Sequence, residues 1–269
     1  MKELRPGEFW RLEAFFNRKK QHLPALSVLQ EAYPGRVFVN QTGNPDLAVV
    51  WATGRWMYAA GNIELELNKA AVKRLLKDTV IPECNALNLG WFEIYTEGTE
   101  AWDQLFLSGL EGLQAGRHFE SVYELQLEQF RQVEDAVPAL PDDLQLEIGE
   151  YPVLEQTYFH LPYLRHDLLK QIAIGAAVKS GRRTLSVCKN NGFTVGNEYF
   201  VDVDTFEFAQ RGQGYATQAA RALIRYYLQQ EMIPLWETTH ENIASHRLAS
   251  KLGFIPVEHY PVYSFRIHK

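Results

Sequence analysis

The sequence predicts a mixed α/β (α+β) fold, arranged as a first α/β domain over residues 1–135 and a second α/β domain over residues 136–269. Three observations carry this. In the first half, short β-type runs bounded by turn residues alternate with stretches of helical periodicity. Between the halves, residues 133–143 hold Pro138 and Pro141 beside Glu134, Asp135, Asp142 and Asp143, with no sustained apolar period. In the second half, a strand, a glycine-bearing turn and a long amphipathic helix follow one another directly.

In chain order, residues 6–33 read as helical stretches, including 8–18, and residues 36–40, 47–52 and 56–60 as short strands. Residues 68–79 form a helix with Ala71, Val72, Leu75 and Leu76 on one face. Residues 91–95 read as a strand, 101–110 as helix and 118–127 as strand. Trp10, Trp51, Trp56, Trp91 and Trp102 are expected in the first core. Past the boundary, 163–174 reads as helix and 183–188 and 198–205 as strands. In 198–205, Val201 and Val203 share one face and Phe200, Asp202 and Asp204 the other. The strongest pattern follows in 214–230, where Ala216, Ala219, Ala220, Leu223, Ile224, Tyr227 and Leu228 repeat at helical spacing. Residues 234–238 are a strand, 242–252 a helix capped by Asn242 and ended by Gly253, and 260–267 a final strand. Both halves have similar strand and helix content; the sequence alone establishes no duplication.

Bulk properties narrow the function classes. A chain of 269 residues with 46% hydrophobic content buries a real core without staples. Net charge is −6, and the short clusters Arg18-Lys19-Lys20 and Arg182-Arg183 read as solvated faces or turns, so no nucleic-acid partner is expected. Cys84 and Cys188 make no CxxC pair and no zinc spacing, so no metal is expected and a reducing, cytoplasmic setting is. Residues 1–7 lack an apolar signal core, and no run approaches the roughly 18 apolar residues of a membrane span.

Chemistry concentrates in Arg211-Gly212-Gln213-Gly214-Tyr215-Ala216, between a strand and the amphipathic helix. A helix N-terminus offers unpaired N–H groups and partial positive charge. Glycines adopt positive φ and let the backbone approach an anion, which together suits phosphate or pyrophosphate. Neither the Lys-Ser/Thr of a P-loop nor a full GxGxxG is present, since Thr217 stands at the third glycine position. A general nucleotide-binding reading therefore ranks low.

The loop resembles motif A of the GNAT superfamily of N-acetyltransferases in Arg211, Gly214 and Ala216. Asn242-Ile243-Ala244-Ser245 followed by Lys251-Leu252-Gly253-Phe254 is similar to the same family's asparagine-led helix, in the same order and spacing. Val203-Asp204-Thr205, Pro234-Leu235-Trp236-Glu237 and Leu248-Ala249 resemble the branch that includes the zwittermicin A resistance acetyltransferase. These motifs cover about residues 198–265.

This resemblance implies acetyl-CoA as co-substrate, no metal, and an amine of a small molecule or peptide as acceptor. The amides of Gln213, Gly214, Tyr215 and Ala216 would hold the pyrophosphate, with Arg211 and Gly212 shaping the turn. Asp204, Thr205 and Phe206 fall where the family's splayed strand bonds the pantetheine arm, and a backbone N–H there would face the oxyanion. Asn242 falls beside the pantetheine, with Ser245 one turn on. A general base would come from Asp204, Glu237 or His240, with Asp202 on the same strand face as Asp204. Many relatives place a proton-donating tyrosine where this chain has Ala249. That departure keeps open a degenerate acyl-CoA sensor or scaffold as the alternative. Trp236 reads as core or as a wall of the acceptor pocket, His246 as a surface residue, Cys188 as a small core residue, and His160, His166 and His259 as structural. No motif names the acceptor or an oligomeric state.

Overall fold

Runs rich in β-branched and aromatic residues become strands wherever a turn residue lets the chain reverse or a helix returns it. The computed structural model describes residues 1–108, 110, 112–134, 139–150 and 174–267. They form two compact units, residues 1–120 with 258–269, and residues 121–257. The units thus divide at Glu120/Ser121, upstream of the proline- and acid-rich segment, and the chain's tail belongs with the first.

In the first unit, β1 (Lys2–Glu3), β2 (Arg36–Val39), β3 (Leu47–Trp51) and β4 (Trp56–Gly61) pair antiparallel in sequence. Helices α1 (Glu13–Phe16) and α2 (Leu23–Leu29) lie between β1 and β2 in the chain. A nearly unbroken helical segment follows β4: α3 (Glu66–Leu75), a π-turn (Leu76–Val80) and α4 (Ile81–Ala86). It returns the chain so that β5 (Trp91–Tyr95) pairs parallel to β4. Next come α5 (Glu100–Leu107) and β6 (Leu113–Leu125). The last strand, β12 (Phe254–Ile267), pairs antiparallel with β5 from Val262↔Tyr95 to Arg266↔Trp91. The core stacks Phe92 on Phe265 at 4.9 Å and Trp102 on Phe106 at 5.4 Å.

Tryptophan placement departs from expectation. Trp51 and Trp102 are buried, Trp56 is half-buried, and Trp10 and Trp91 are 67% and 55% exposed. Strand parity explains Trp91, because Phe92 and Ile94 take the inward positions of β5. Trp10 lies between Phe9 and Leu12, which share the inner face of a 3₁₀ turn.

In the second unit, α6 (Leu127–Glu134) and β7 (Gln145–Glu150) precede an antiparallel series of β7 with β8 (Ile174–Ser180), β9 (Arg183–Val195) and β10 (Glu198–Thr205). Helix α7 (Tyr215–Leu228) buries Ala219, Ala220, Leu223, Ile224 and Tyr227, the stripe its periodicity predicts. β11 (Ile233–Thr239) then pairs parallel to β10, and α8 (Ile243–Lys251) leads into β12. The strand order is β6-β11-β10-β9-β8-β7. Of the helix expected over 163–174, residues 163–173 lie outside the described residues, and Ile174 opens β8.

The order of elements repeats. An antiparallel β2-β3-β4 series, a helical segment, a parallel strand, a helix and a long strand make up the first pass; β8-β9-β10, α7, β11, α8 and β12 make up the second. The similar strand and helix content of the two halves accords with this shared order among the described residues.

Candidate active site

β10 and β11 pair from Glu198↔Ile233 to Val201↔Trp236, and the ladder ends there. β10 stays bonded to β9 as far as Thr205↔Ser186. The two parallel strands therefore part while one of them is still held by the sheet. Residues 203–205 floor a cavity of about 440 Å³ that opens at this point. Trp236 walls one side. Arg211, Gly212 and the first turn of α7 close one end, and Asn242, Ser245, Arg247 and Lys251 line it from α8.

Left-handed backbone makes the loop possible. Gly212 has φ 77° and Gly214, the N-cap of α7, φ 83°. A Cβ at either would meet nothing within 4 Å, so conformation rather than crowding requires glycine. The first helical bond runs from Gln218 N–H to the Gly214 carbonyl at 3.1 Å. The earlier amides of α7 have no acceptor within the helix, and Tyr215, Ala216 and Thr217 line the cavity.

α8 begins as its sequence predicts. The Asn242 side chain accepts from Ser245 N–H at 3.1 Å, and Gly253 ends the helix with φ 86°. Trp236 donates its indole N–H to Ser245 Oγ at 2.9 Å, tying β11 to α8 beside the cavity. Cations dominate the lining: Arg211, Arg247 and Lys251 against the single carboxylate of Asp204. Among the described residues no carboxylate pairs with any of the three. Arg211 instead lies over the Phe208 ring, 5.7 Å from its centre. Behind the floor, Ser186 donates to the Asp204 carbonyl at 2.7 Å and sits 3.0 Å from Thr205 Oγ1.

Of the residues expected in the site, Asp204, Thr205, Arg211, Gly212, Gly214, Tyr215, Ala216, Asn242 and Ser245 meet at this cavity. Phe206, Gln213, Glu237 and His240 do not line it. Phe206 N–H donates to the Leu185 carbonyl at 3.3 Å, which continues the β9 pairing. Glu237 follows Trp236 where β11 has left the ladder, and His240 follows the strand's end. Asp202 is tied to the buried Lys189 at 3.1 Å.

Several features escaped the sequence reading. Arg247 and Lys251 share a face of α8 with Ala244 and Leu248, a spacing that was available as a signal. His246 is half-buried rather than a surface residue. Its Nε2 donates to the His240 carbonyl at 3.1 Å, which makes Nδ1 the acceptor for the Tyr123 hydroxyl. Burial raises the pKa of Tyr123. No local signal foretells a contact with a residue so distant in sequence.

Ala249 is fully buried with Trp236, Leu252 and Phe254 in the second core. Cys188 is a buried core residue as expected, its thiol pushed well up by burial, and His259 stacks on Phe119 at 5.0 Å. His160 and His166 lie outside the described residues. Among the described residues, no group of three His, Cys, Asp or Glu could hold a metal, and no helix is long and apolar enough to cross a membrane.

Residues 13–263 match the family model described as GNAT acetyltransferase. No curated protein matches in sequence. Among solved structures, a GCN5-related N-acetyltransferase-like protein from Streptococcus suis is similar with TM-score 0.70 and 17% identity, over 97% of this chain and 99% of that one. A GCN5-related N-acetyltransferase from Sphaerobacter thermophilus gives 0.62 and 11%, over 100% and 95%. A tandem GNAT protein from the clavulanic acid biosynthesis pathway gives 0.59 and 14%, over 96% and 93%. At these identities the likeness is one of fold.

Proposed function

This chain belongs to the GNAT acetyltransferase family, and from that premise we propose that its second unit transfers an acetyl group from acetyl-CoA to an amine of a small molecule or peptide. The observation that carries the reading is the parting of β10 from β11 above a glycine-capped helix N-terminus. An extended pantetheine arm needs a free strand edge to bond to, and the β11-facing side of residues 202–205 supplies one. A pyrophosphate needs unpaired amides and positive charge. The start of α7 and Arg211 meet that need, while Arg247 and Lys251 add charge for a polyanion.

The reaction begins with loss of a proton from the acceptor ammonium. Asp204 is the candidate base within the cavity, and Glu237 and His240 are candidates past the end of the paired ladder. Amine nitrogen attacks the thioester carbonyl, and a backbone N–H of residues 204–205 stabilises the oxyanion as the tetrahedral intermediate forms. Collapse expels the CoA thiolate. The attacking nitrogen sheds its second proton to solvent or to the sulfur, and the thiolate leaves either with a proton from another group or without a general acid, since Ala249 supplies none. Positioning of amine against thioester supplies much of the acceleration. The motifs around Val203-Asp204-Thr205 and Pro234-Leu235-Trp236-Glu237 support placement near the zwittermicin A resistance acetyltransferase. Two buried free cysteines support a cytoplasmic setting.

Calorimetry with acetyl-CoA, followed by free-thiol release over a panel of amines, tests this. Saturable binding and amine-dependent thiol release support acetyl transfer. Binding without release to any amine supports the sensor alternative, and no binding removes both.

A further inference from the structure

The first unit holds a cavity of its own, about 400 Å³, whose chemistry differs from that of the cleft above. It opens at the matching point of the repeated element order. β4 and β5 pair from Trp56↔Glu93 to Tyr58↔Tyr95 and then part, while β4 stays bonded to β3 through Gly61↔Leu47. Gly61 ends β4 and Glu97 lies just beyond β5, and both line the cavity.

No glycine-capped helix N-terminus of the kind found at α7 is present here. Residues 62–65 join strand to helix without a glycine turn, and Glu66 occupies the first turn of α3. The space a Cβ would take at Gly61 is filled by the Asp46 carbonyl, 2.1 Å away.

The walls carry charges of both signs. Arg18 and Lys19 line one side, and no carboxylate among the described residues pairs with either. Glu97 lines another, its Oε2 accepting the Trp102 indole N–H at 3.2 Å. Phe15 supplies apolar surface. His22 lines the cavity with its ring, is 3% exposed, and its Nδ1 is buried away from the open space. The Gln21 side-chain amide lies 3.3 Å from His22 Nε2. The turn that carries these groups is fixed, since the Glu258 carboxylate accepts both Lys20 N–H and Gln21 N–H at 2.8 Å.

We propose that this cavity binds a small amino-carboxylate, its carboxylate held by Arg18 and Lys19 and its ammonium by Glu97. A bare anion would leave Glu97 unanswered, and a bare amine would leave both cations unanswered. Simultaneous capture of both ends selects a molecule that carries both charges.

Calorimetry on the full chain tests this with L-alanine, L-glutamate and L-lysine as probes, beside acetate and methylamine. At least one amino acid binds saturably, and acetate and methylamine each bind at least about tenfold more weakly. An Arg18→Glu/Lys19→Glu double variant weakens amino-acid binding at least about tenfold while melting temperature and acetyl-CoA binding stay unchanged. Glu97→Gln removes the preference over acetate. The proposal is overturned if none of the three amino acids binds, if the double variant binds as tightly as the parent, or if acetate alone matches the best amino acid. Because acetyl-CoA binding is read in the same variants, failure here is distinguishable from failure of the acetyltransferase reading.

Discussion

Between β10 and α7, residues 206–214 rise through a 3₁₀ turn and two left-handed glycines into a helix whose first amides face a cation-lined cavity. Between β4 and α3, only residues 62–65 intervene, Asn62 Oδ1 accepts Glu64 N–H at 3.2 Å, and the helix opens on Glu66. Each junction follows a strand that parts from a parallel neighbour. One offers unpaired donors and positive charge, and the other fills the same place with its own polar contacts and a carboxylate. A shared order of elements therefore fixes where a cavity forms, while loop length and charge decide what enters it.

The sharpest way to break this comparison is Gly214→Trp. A Cβ at that point meets nothing within 4 Å in the free protein, and the left-handed backbone adds a cost of about 1–2 kcal/mol. Acetyl-CoA affinity is expected to fall by more than about 1000-fold, or about 4 kcal/mol, by calorimetry, with an unchanged circular dichroism spectrum. Retained binding would show that the glycine turn is not the anion site.

Acid is expected to act next most strongly, and on the first unit. Burial, then the charge of Lys19, lowers the pKa of His22 to about 4 from 6.5. The unfolded chain therefore takes up a proton before the folded one does. Stability from neutral His22 is complete above pH 6.5 and falls by about 3 kcal/mol as pH drops to 4. Glu93 works the other way. Burial first, and the neighbouring Glu120 second, raise its pKa to about 7, while His118 opposes them. Its contribution is present below pH 4.5 and lost as pH rises through 7. Melting curves of Glu93→Gln should therefore show a gain over the parent at pH 8 and a steeper acid loss, with little difference at pH 4. An acid limb unchanged by removal of His22 would reassign it to another group.

Ala249→Tyr restores the family's tyrosine to the sequence but not, we expect, to the chemistry. The alanine is fully buried against Trp236 and Phe254, so overpacking should destabilise by about 2 kcal/mol, read as a lower melting temperature. A stable variant with faster thiol release would place residue 249 at the reacting sulfur after all. The smallest effect belongs to Lys251→Glu, with an expected loss of about tenfold in acetyl-CoA affinity and a weaker dependence of binding on salt.

What the sequence by itself determined is local. Positive-φ glycines, the Asn242 cap and the helical stripe of α7 each express an energetic preference within a few residues, so β10, α7 and α8 were legible to within a residue or two. The glycine-bearing loop belonged to that class, as did its place before the helix. Tertiary structure alone decided the rest. The parting of β10 from β11 depends on two strands separated by a helix, and the return of residues 258–269 to the first unit on a pairing with β5. Tyr123 meets His246 only because packing brings them together, and the His22 pKa falls because the folded chain buries the ring and sets Lys19 near it. Propensity and periodicity act over one turn or one strand, whereas burial and electrostatics depend on neighbours that only the folded chain supplies.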